Sequence, residues 1–550
     1  MAYSAFDCGF QRLLMLTSLL CVAFFIATVW RYFGDGAYTY FHLSLNELSV
    51  VLLNKTQYAI YSNETNMSTP AFIAASNEPL PSSICLSADN HTHPLEKLLV
   101  SPPLQCYDPQ FTNISMDGSS RQLDLSQCID NPPAFGGTLK TAKKYVWHNG
   151  VRWNRTVFSP KGDGVDMVYT SCGNKTNLRV YPYRLPHLKT SHRSPGRHSA
   201  LFFVLESTST RRFEMDFPLT NKLLGGRNPE YEIYGRASIR FLHTSVTGLN
   251  TEPNIKRMIE GNPREKSWWK TAWNTLRGVQ GQSNNIFRVA RENKIITSVW
   301  DDYCPILGLC NRYPFDEHRV CDNLLCNYGS DIRSLYSANP VPGCVHGEWW
   351  IRQHLRYIDD LWTNVYPNER IFHAGQHYAC HMEDRHRSVC QSNDKDLRDF
   401  LSTFLKRHPE TFLILASDHG FHWSRRGRKY NEHAVGESEH RRPLLQFVLP
   451  QSSSNHHVQN ARLNSGRFVT HDDVHATMYS FFAQITKPCT TGMPCRKQID
   501  SMTGFDLLNT IVPKKRSCNT AKIPNGWCSC LVPAHGEACR ADSQVGEVCN

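Results

Sequence analysis

The sequence is short of acidic residues and of charge in general. It has 49 Asp and Glu against 60 Lys and Arg, which gives a formal net charge of +11 at pH 7. Charged residues make up only 20% of the 550 positions while hydrophobic residues make up 40%, so the composition excludes a chain that is disordered throughout. At this length we expect about two or three folding units.

The excess positive charge includes two basic runs, Arg425–Lys429 and Lys514–Arg516. Either run could contact an anionic partner, and either could equally be a solvated part of the surface. We do not expect a nucleic-acid partner, because other features of the sequence indicate a compartment outside the cytosol.

Residues 13–30 form an uncharged, mostly apolar segment between Arg12 and Arg31. Eighteen residues is near the lower limit for a helix that crosses a hydrocarbon core about 30 Å thick. The segment ends in bulky residues and lacks the small residues of a cleavage site, which favours an uncleaved signal anchor. We therefore expect a short tail over residues 1–12 and a transmembrane helix over residues 13–30. Cleavage and secretion are the alternative, and the flanking arginines leave the orientation open.

Glycosylation signals and cysteines place the remainder in the extracellular space or the lumen of the secretory pathway. Of the 20 cysteines, 18 follow the apolar segment, an even number that suits disulfides in an oxidising compartment. The spacing of Cys528 and Cys530 does not suit a zinc knuckle. Asn-x-Ser/Thr acceptor sites occur seven times, all before residue 180: Asn54, Asn63, Asn66, Asn90, Asn113, Asn154 and Asn174.

The chain changes character near residue 198. Residues 34–190 are rich in Asn, Ser, Thr and Pro with short strand-like runs, for example at 144–147, 151–158 and 165–169, and predict a glycosylated β-rich region. Residues 488–550 contain seven cysteines and little periodicity, and predict a disulfide-rich C-terminal segment.

Residues 198–487 alternate between apolar strands and amphipathic helices. The continuous apolar runs Ala200–Leu205 and Thr411–Ala416 are typical of strands buried on both faces. Alternation of this kind predicts an α/β fold with a mainly parallel sheet and helices on both faces. Further strands are predicted at 295–300, 370–373 and 444–449, and helices at 286–293, 347–365, 394–407 and 472–485.

Three of the predicted strands end in residues that can bind a metal. Glu206 follows the first apolar run, Asp418 and His419 follow the run that ends at Ala416, and the pair Asp301–Asp302 follows a third. In open α/β sheets functional groups collect beyond the carboxyl ends of the strands, so we expect these to converge. Carboxylate and imidazole ligands suit Zn or Mn. The alternative for each acid is a helix cap.

Thr251 is the candidate nucleophile. It lies where a helix N-cap is expected, with Pro253 in the first turn, and a capping role alone is one interpretation. The other is catalytic, because N–H groups at a helix start favour an anionic phosphoryl group. A hydroxyl coordinated by a divalent metal becomes a usable nucleophile near neutral pH.

Five blocks in this order resemble the DUF229 family of animal, especially nematode, extracellular proteins, within the alkaline phosphatase and sulfatase superfamily. The blocks are Phe203–Ser209; Asn250–Asn254 with Gly261; Ser417–Gly420 with Gly436–Glu439 and Pro443; Asp473–Thr477; and Arg516–Cys518 with Trp527–Cys530. The resemblance implies an alkaline-phosphatase-like domain over residues 198–487.

The resemblance also implies a metal site formed by Glu206, Thr251, Asp418 and His419, with Thr251 as the nucleophile. Superfamily members often hold a second metal or the substrate phosphate with histidines. The candidates are His381 and His433, which are otherwise structural or exposed histidines. Three features depart from the family pattern: Glu206 replaces an Asp, Thr210 precedes Arg211, and the loop from 420 to 436 is longer.

The function that follows is a metal-dependent hydrolase or transferase acting on a phosphorylated small molecule, lipid or glycan. Sulfatase chemistry is disfavoured, because no cysteine lies in the Cys-x-Pro-x-Arg segment that the modified nucleophile needs. The alternative from another class is a non-catalytic extracellular binding or structural glycoprotein that has kept the fold.

Overall fold

The computed structural model describes about half of the chain. Residues 1–105, which include the expected tail and signal anchor, lie outside the described residues, and the described residues all belong to the compact unit Phe72–Asn550. None of the described helices is long and apolar enough to cross a membrane. The described segments are 199–261, 285–301, 348–377, 388–421, 434–483, 504–523 and 527–529, with Cys106, Pro182 and the backbone of strands at 113–180, 319–321 and 344–345.

Seven strands between residues 113 and 180 form two antiparallel sheets, ordered β1-β2-β5 and β4-β3-β6-β7. The strand predicted at 144–147 coincides with β4, whereas the run at 151–158 is described as a strand only at its end. The strands are β1 (Asn113–Asp117), β2 (Ser120–Asp124), β3 (Ala134–Thr141), β4 (Lys144–Trp147), β5 (Val157–Phe158), β6 (Met167–Cys172) and β7 (Lys175–Val180).

An eight-stranded mixed sheet forms the centre of the following part of the chain. Its strands are β8 (Ser199–Leu205), β9 (Glu232–Ile233), β10 (Arg236–Arg240), β12 (Ile296–Asp301), β13 (Arg319–Cys321), β16 (Ile371–His377), β17 (Thr411–Ala416) and β18 (Leu445–Val448). They are ordered β13-β12-β16-β8-β17-β18-β10-β9, and the first five are parallel while the last three pair antiparallel.

The sheet confirms the α/β prediction and adds an antiparallel edge to it. Strand β10 is not predicted by its hydrophobicity, because its sequence, RASIR, contains Arg236 and Arg240, which are both buried. Both guanidinium groups form hydrogen bonds inside the fold: Arg236 donates to the Leu449 carbonyl at 2.8 Å, and Arg240 donates to the Gln446 side chain. Two small pairs complete the strands: β11 (His243–Ser245) with β19 (Phe468–Thr470), and β14 (Cys344–Val345) with β15 (Glu348–Trp349).

Each of the four predicted helical segments contains a described helix, and further helices were not predicted. The segment predicted at 347–365 begins with the short strand β15, continues as the helix Trp350–Asp360 and ends in a π-helical turn, Leu361–Val365. The helices are α1 (Thr210–Asp216), α2 (Pro218–Leu223), α3 (Thr251–Glu260), α4 (Ile286–Glu292), α5 (Trp350–Asp360), α6 (Ser388–Arg407), α7 (Ala434–His440), α8 (Asn455–Ser465) and α9 (His471–Ala483).

Helices cover both faces of the sheet, and β8 shows why its sequence is continuously apolar. Leu201, Phe203 and Leu205 pack into one core cluster with side chains of α1, α5 and α6. The alternate residues, Ala200 to Val204, pack into a second cluster with side chains of α3, α4 and α9. Successive side chains of a strand point to opposite faces, so a strand buried on both sides needs an apolar residue at every position.

The described part of the C-terminal segment packs against α9. Arg516 forms a buried ion pair with Asp473, and Cys518 forms a disulfide with Cys528. Cys106 and Cys390 are also disulfide-bonded. Residues 530–550 lie outside the described part of the chain.

Candidate metal centre and nucleophile

The ends of two neighbouring parallel strands place the two candidate carboxylates side by side. β8 and β17 pair with Val204 opposite Ala416, so Glu206 and Asp418 each lie two residues further along at the same edge of the sheet. Both side chains are buried, with 2% and 0% of their residue surface exposed. The register of the strands therefore produces the convergence that the sequence predicts for these two residues.

The turn after β8 is tied directly to the turn after β17. Ser207 has a positive φ of 55°, a left-handed conformation that is costly for a residue other than glycine. In this conformation its N–H donates to Asp418 Oδ1 at 2.9 Å, and the N–H of Thr208 donates to Ser417 Oγ at 3.0 Å. The strained backbone of Ser207 thus fixes the orientation of the Asp418 carboxylate.

The hydrogen bond made by Nδ1 of His419 determines its tautomer. Nδ1 lies 2.8 Å from the carbonyl oxygen of Gly420, which can only accept, so Nδ1 carries the proton. In the neutral ring Nε2 then carries no proton and directs its lone pair into the site, 3.2 Å from Thr251 Oγ1 and 3.1 Å from Asp418 Oδ2. This is the arrangement in which a histidine binds a metal.

Thr251 is the first residue of α3, and the expectation that it caps the helix is wrong. Asn250 occupies the N-cap position, and its side chain makes no capping hydrogen bond. The Thr251 hydroxyl instead donates to Glu206 Oε1 at 2.9 Å and lies 3.2 Å from His419 Nε2. The hydroxyl is unavailable as a cap because it belongs to the cluster at the strand ends.

The four predicted residues lie together, and the chemistry of the cluster fits a divalent cation. Glu206, Asp418 and His419 each offer a ligand atom within 4.8 Å of the others. Asp418 Oδ2 accepts no hydrogen bond from any residue that the structure describes. The Thr251 hydroxyl lies within hydrogen-bond distance of Glu206 Oε1 and His419 Nε2. A buried group of two carboxylates and an imidazole is stabilised by a cation, and its oxygen and nitrogen atoms suit Zn or Mn.

Two further histidines support the cluster, and the sequence did not single them out. His440 packs its ring at 78° against that of His419, with 5.4 Å between centroids, and its Nε2 lies 3.2 Å from the Leu249 carbonyl. Burial, with a smaller effect from His419, lowers the pKa of His440 to about 3. His471 lies with Nε2 3.1 Å from the Ser417 carbonyl, and burial lowers its pKa to about 4. Both rings are therefore neutral at physiological pH.

Other predicted site residues are not brought to this cluster by the described structure. His381, His433 and Asp302 lie outside the described residues. Asp301 ends β12, which is separated from β8 by β16, and only its backbone is described. Of the predicted glycosylation sites, only the backbone of Asn113, at the start of β1, is described.

Sequence motifs could have indicated some of the supporting residues. His440 lies between the quoted residues Gly436–Glu439 and Pro443, and Asn254 closes the block Asn250–Asn254, but neither has a role assigned from the sequence. His471 carries no local signal, since its role depends on contacts with residues far away in the sequence.

Residues 341–539 match the model of a family described as a protein of unknown function, DUF229. The matched stretch contains Asp418 and His419. Glu206 and Thr251 lie before it, and geometry alone associates them with the site. No curated protein matches the chain.

Several solved structures are similar to the chain at low sequence identity. The periplasmic domain of the phosphoethanolamine transferase EptC from Campylobacter jejuni is 13% identical, with a TM-score of 0.33 over 58% of this chain and 97% of that domain. The lipoteichoic acid synthase LtaP from Listeria monocytogenes is 13% identical, with a TM-score of 0.36 over 58% and 79%. An alkaline phosphatase superfamily protein from Vibrio parahaemolyticus is 14% identical, with a TM-score of 0.33 over 61% and 77%.

The DUF229 resemblance predicted from the motif blocks is confirmed over residues 341–539, which match the model of that family.

Proposed function

We propose that this protein is a metal-dependent phosphoester hydrolase or transferase with Thr251 as its nucleophile. One observation carries the proposal: the Thr251 hydroxyl, at the start of a helix, contacts Glu206 and His419 in a buried cluster completed by Asp418. A threonine that only capped a helix would bond to the backbone of that helix, and this one does not.

The residues of the cluster have separate tasks in this proposal. Glu206, Asp418 and His419 would hold the cation together with the Thr251 oxygen. The cation would lower the pKa of the hydroxyl and stabilise negative charge on the phosphoryl oxygens. Ser207, through its N–H, keeps Asp418 in place, and the Gly420 carbonyl keeps the lone pair of His419 directed at the site.

The reaction consists of two displacements at phosphorus. Thr251 Oγ1 forms a bond to phosphorus as the bond to the leaving oxygen breaks, the hydroxyl proton passes to Glu206 Oε1, the acceptor at 2.9 Å, and the departing alkoxide takes a proton from solvent. Water, or the hydroxyl of an acceptor molecule, then takes the phosphoryl group and gives its proton to solvent, while Glu206 returns its proton to Thr251 Oγ1. The N-terminal end of α3 favours the negative charge of the phosphoryl group beside Thr251.

The substrate class we propose is a phosphorylated small molecule, lipid or glycan outside the cytosol. The formed disulfide Cys518–Cys528 and the seven acceptor sites for N-glycans support an oxidising compartment. We retain residues 13–30 as the proposed membrane anchor.

The test combines metal analysis of the purified full-length protein with assays on aryl phosphate mono- and diesters. We expect bound Zn or Mn, turnover that a chelator abolishes, and a loss of at least about 1,000-fold in kcat/KM for Thr251→Ala. Thr251→Ser should keep part of the activity because it keeps the hydroxyl. Thr220→Ala removes another buried hydroxyl, one that bonds to Asp394, and should leave turnover unchanged.

Absence of bound metal, or turnover that Thr251→Ala leaves intact, would refute the enzymatic proposal. A stable, metal-free and inactive protein would favour the alternative, a binding or structural glycoprotein that has kept the fold.

A further inference from the structure

Asn254 lies one helical turn beyond Asn250 and organises the loop that leads to the nucleophile. It is fully buried. Its Oδ1 accepts from the N–H of Thr247 at 2.8 Å, from the N–H of Gly248 at 3.0 Å and from the Thr247 hydroxyl at 3.1 Å. Its Nδ2 donates to the carbonyls of Gly248 at 3.0 Å and Asn250 at 2.9 Å. These backbone partners fix which end of the amide is oxygen and which is nitrogen.

The bonds of Asn254 hold residues 247–250 against the start of α3. Gly248 lies so close to the helix that a Cβ built on it would stand 2.8 Å from the Pro253 ring. Asn250, whose carbonyl accepts from Asn254, directly precedes Thr251. The backbone that carries the nucleophile therefore has little freedom as long as the amide is intact.

The same amide is linked to the turn that carries Asp418 and His419. His471 Nδ1 lies 3.2 Å from Asn254 Oδ1, and its Nε2 lies 3.1 Å from the Ser417 carbonyl. The ring is buried and fills the space between these two oxygens. A neutral imidazole donates through one of its nitrogens, and in either tautomer the ring lies against both segments.

We infer that Asn254 is a positioning residue, whose amide sets the Thr251 hydroxyl at its distances from Glu206 and His419. The inference rests on the proposed function, because the consequence of the positioning is the rate at which Thr251 attacks. Asn254 touches neither the proposed nucleophilic oxygen nor the proposed ligands, so its effect passes through the backbone of residues 247–251.

The test exchanges the donor end of the amide for an acceptor. Asn254→Asp keeps an oxygen for the N–H groups of Thr247 and Gly248 and turns a second oxygen towards the carbonyls of Gly248 and Asn250. Asn464→Asp is the matched control. Asn464 is also fully buried, donates from Nδ2 to the carbonyls of Leu507 and Thr510, and accepts from the N–H of Val512.

We expect both variants to unfold at a lower temperature than wild type, and only Asn254→Asp to have a strongly reduced kcat. Displacement of a reacting group by about 1 Å costs on the order of 100-fold in rate, so kcat of Asn254→Asp should fall by about 30- to 100-fold with KM within about threefold. Asn464→Asp, assayed at a temperature where both are folded, should stay within about threefold of wild type. An equal loss of kcat in the two variants would overturn the inference.

A second measurement separates this inference from the proposed function. In a crystal structure of Asn254→Asp we expect the Thr251 oxygen to leave hydrogen-bond distance of Glu206 or His419. Unchanged contacts would overturn the inference even if the wild type proved inactive. If the hydroxyl is displaced in Asn254→Asp and the wild type is inactive, the positioning role is supported and the proposed function is refuted. If Asn254→Asp does not fold, Thr247→Val removes only the hydroxyl bond to Asn254, and should lower kcat several-fold in a folded protein.

Discussion

His419 shows how one backbone carbonyl decides what a side chain can bind. Because the Gly420 carbonyl can only accept, Nδ1 carries the proton and Nε2 faces Thr251 and Asp418 as a lone pair. The same principle applies to Asp418, whose Oδ1 accepts from the N–H of Ser207 while Oδ2 would bind the proposed cation. Each ligand is thus oriented by a bond on its far side, as in characterised metal centres.

Replacement of one carboxylate oxygen by an amide nitrogen should therefore remove metal binding. In Asp418→Asn the oxygen can still accept from the N–H of Ser207, which places an NH₂ group where the cation would lie. We expect the Zn affinity, measured by competition with a chromogenic chelator, to fall by more than about 100-fold. Asp394→Asn changes another buried carboxylate, which accepts from the N–H groups of Leu219 and Thr220, and should leave the affinity unchanged. Equal affinities for Asp418→Asn and wild type would contradict the ligand assignment.

Gly420 is a glycine because of space, since its φ lies outside the left-handed range. A Cβ at this position would overlap the backbone carbonyl of Glu439, and the N–H of Gly420 donates to the His440 carbonyl at 2.8 Å. Backbone cannot yield as a flexible side chain can, so Gly420→Ala should cost about 1–3 kcal/mol in the free energy of unfolding. Gly466 has no atom within 4 Å of an added Cβ and a φ of −99°, so Gly466→Ala should be neutral or slightly stabilising. Chemical denaturation compares them, and equal effects would contradict this account.

The sequence predicts an element well when most of the buried side chains in that element are apolar. β17 was predicted with the same ends that the structure has, because all six of its residues are buried and the run is unbroken. α8 was missed because its sequence, NHHVQNARLNS, buries mainly polar side chains. One of them, Asn464, forms hydrogen bonds with backbone groups of residues 507–512. Polar residues that are satisfied by distant backbone leave no periodic apolar signal.

The same reasoning explains how much of the site could be predicted. The proposed metal ligands follow apolar strands and Thr251 begins a helix, so local patterns point to them. The residues that hold these groups in place cannot be predicted from local patterns. Asn254 and His471 are separated by 217 positions in the sequence and meet only in the folded chain.

Between β16 and α5, two histidines are buried where charge would be costly. His354 Nε2 lies 2.9 Å from His373 Nε2, and His373 Nδ1 lies 2.9 Å from Ser298 Oγ. The His354 ring also stacks on Trp300, with 4.5 Å between centroids. Burial lowers the pKa of His373 to about 3, and burial together with His373 and His377 holds the pKa of His354 well below its ordinary value.

These lowered pKa values predict a loss of stability in acid. Between about pH 6.5 and pH 3 the unfolded chain binds a proton at His373 that the folded chain does not, so the free energy of unfolding falls as the pH falls. Each such histidine contributes a slope of up to about 1.4 kcal/mol per pH unit. Urea unfolding at pH 7 and pH 5 should show a smaller pH dependence for His373→Asn than for wild type. His457→Gln, at a partly exposed position, should leave the dependence unchanged, and an unaltered slope in His373→Asn would contradict the prediction.

For the whole molecule, the architecture places the parts of the site on elements that are distant in the chain. Glu206 lies at the end of β8, Thr251 at the start of α3, and Asp418 and His419 beyond β17, all at one edge of the sheet. The described C-terminal segment braces α9, which begins with His471, through the ion pair of Arg516 with Asp473. The site is therefore a product of the complete α/β domain.

The most direct test of the proposed chemistry is to find the phosphoryl group on the protein. Wild-type protein loaded with Zn or Mn would be mixed with an aryl phosphate ester, quenched in acid and analysed by peptide mass spectrometry. We predict a phosphorylated peptide with the modification on Thr251, absent from Thr251→Ala and retained in Thr220→Ala. Metal-dependent turnover without phosphorylation of Thr251, or phosphorylation at another residue, would contradict the assignment of Thr251 as the nucleophile.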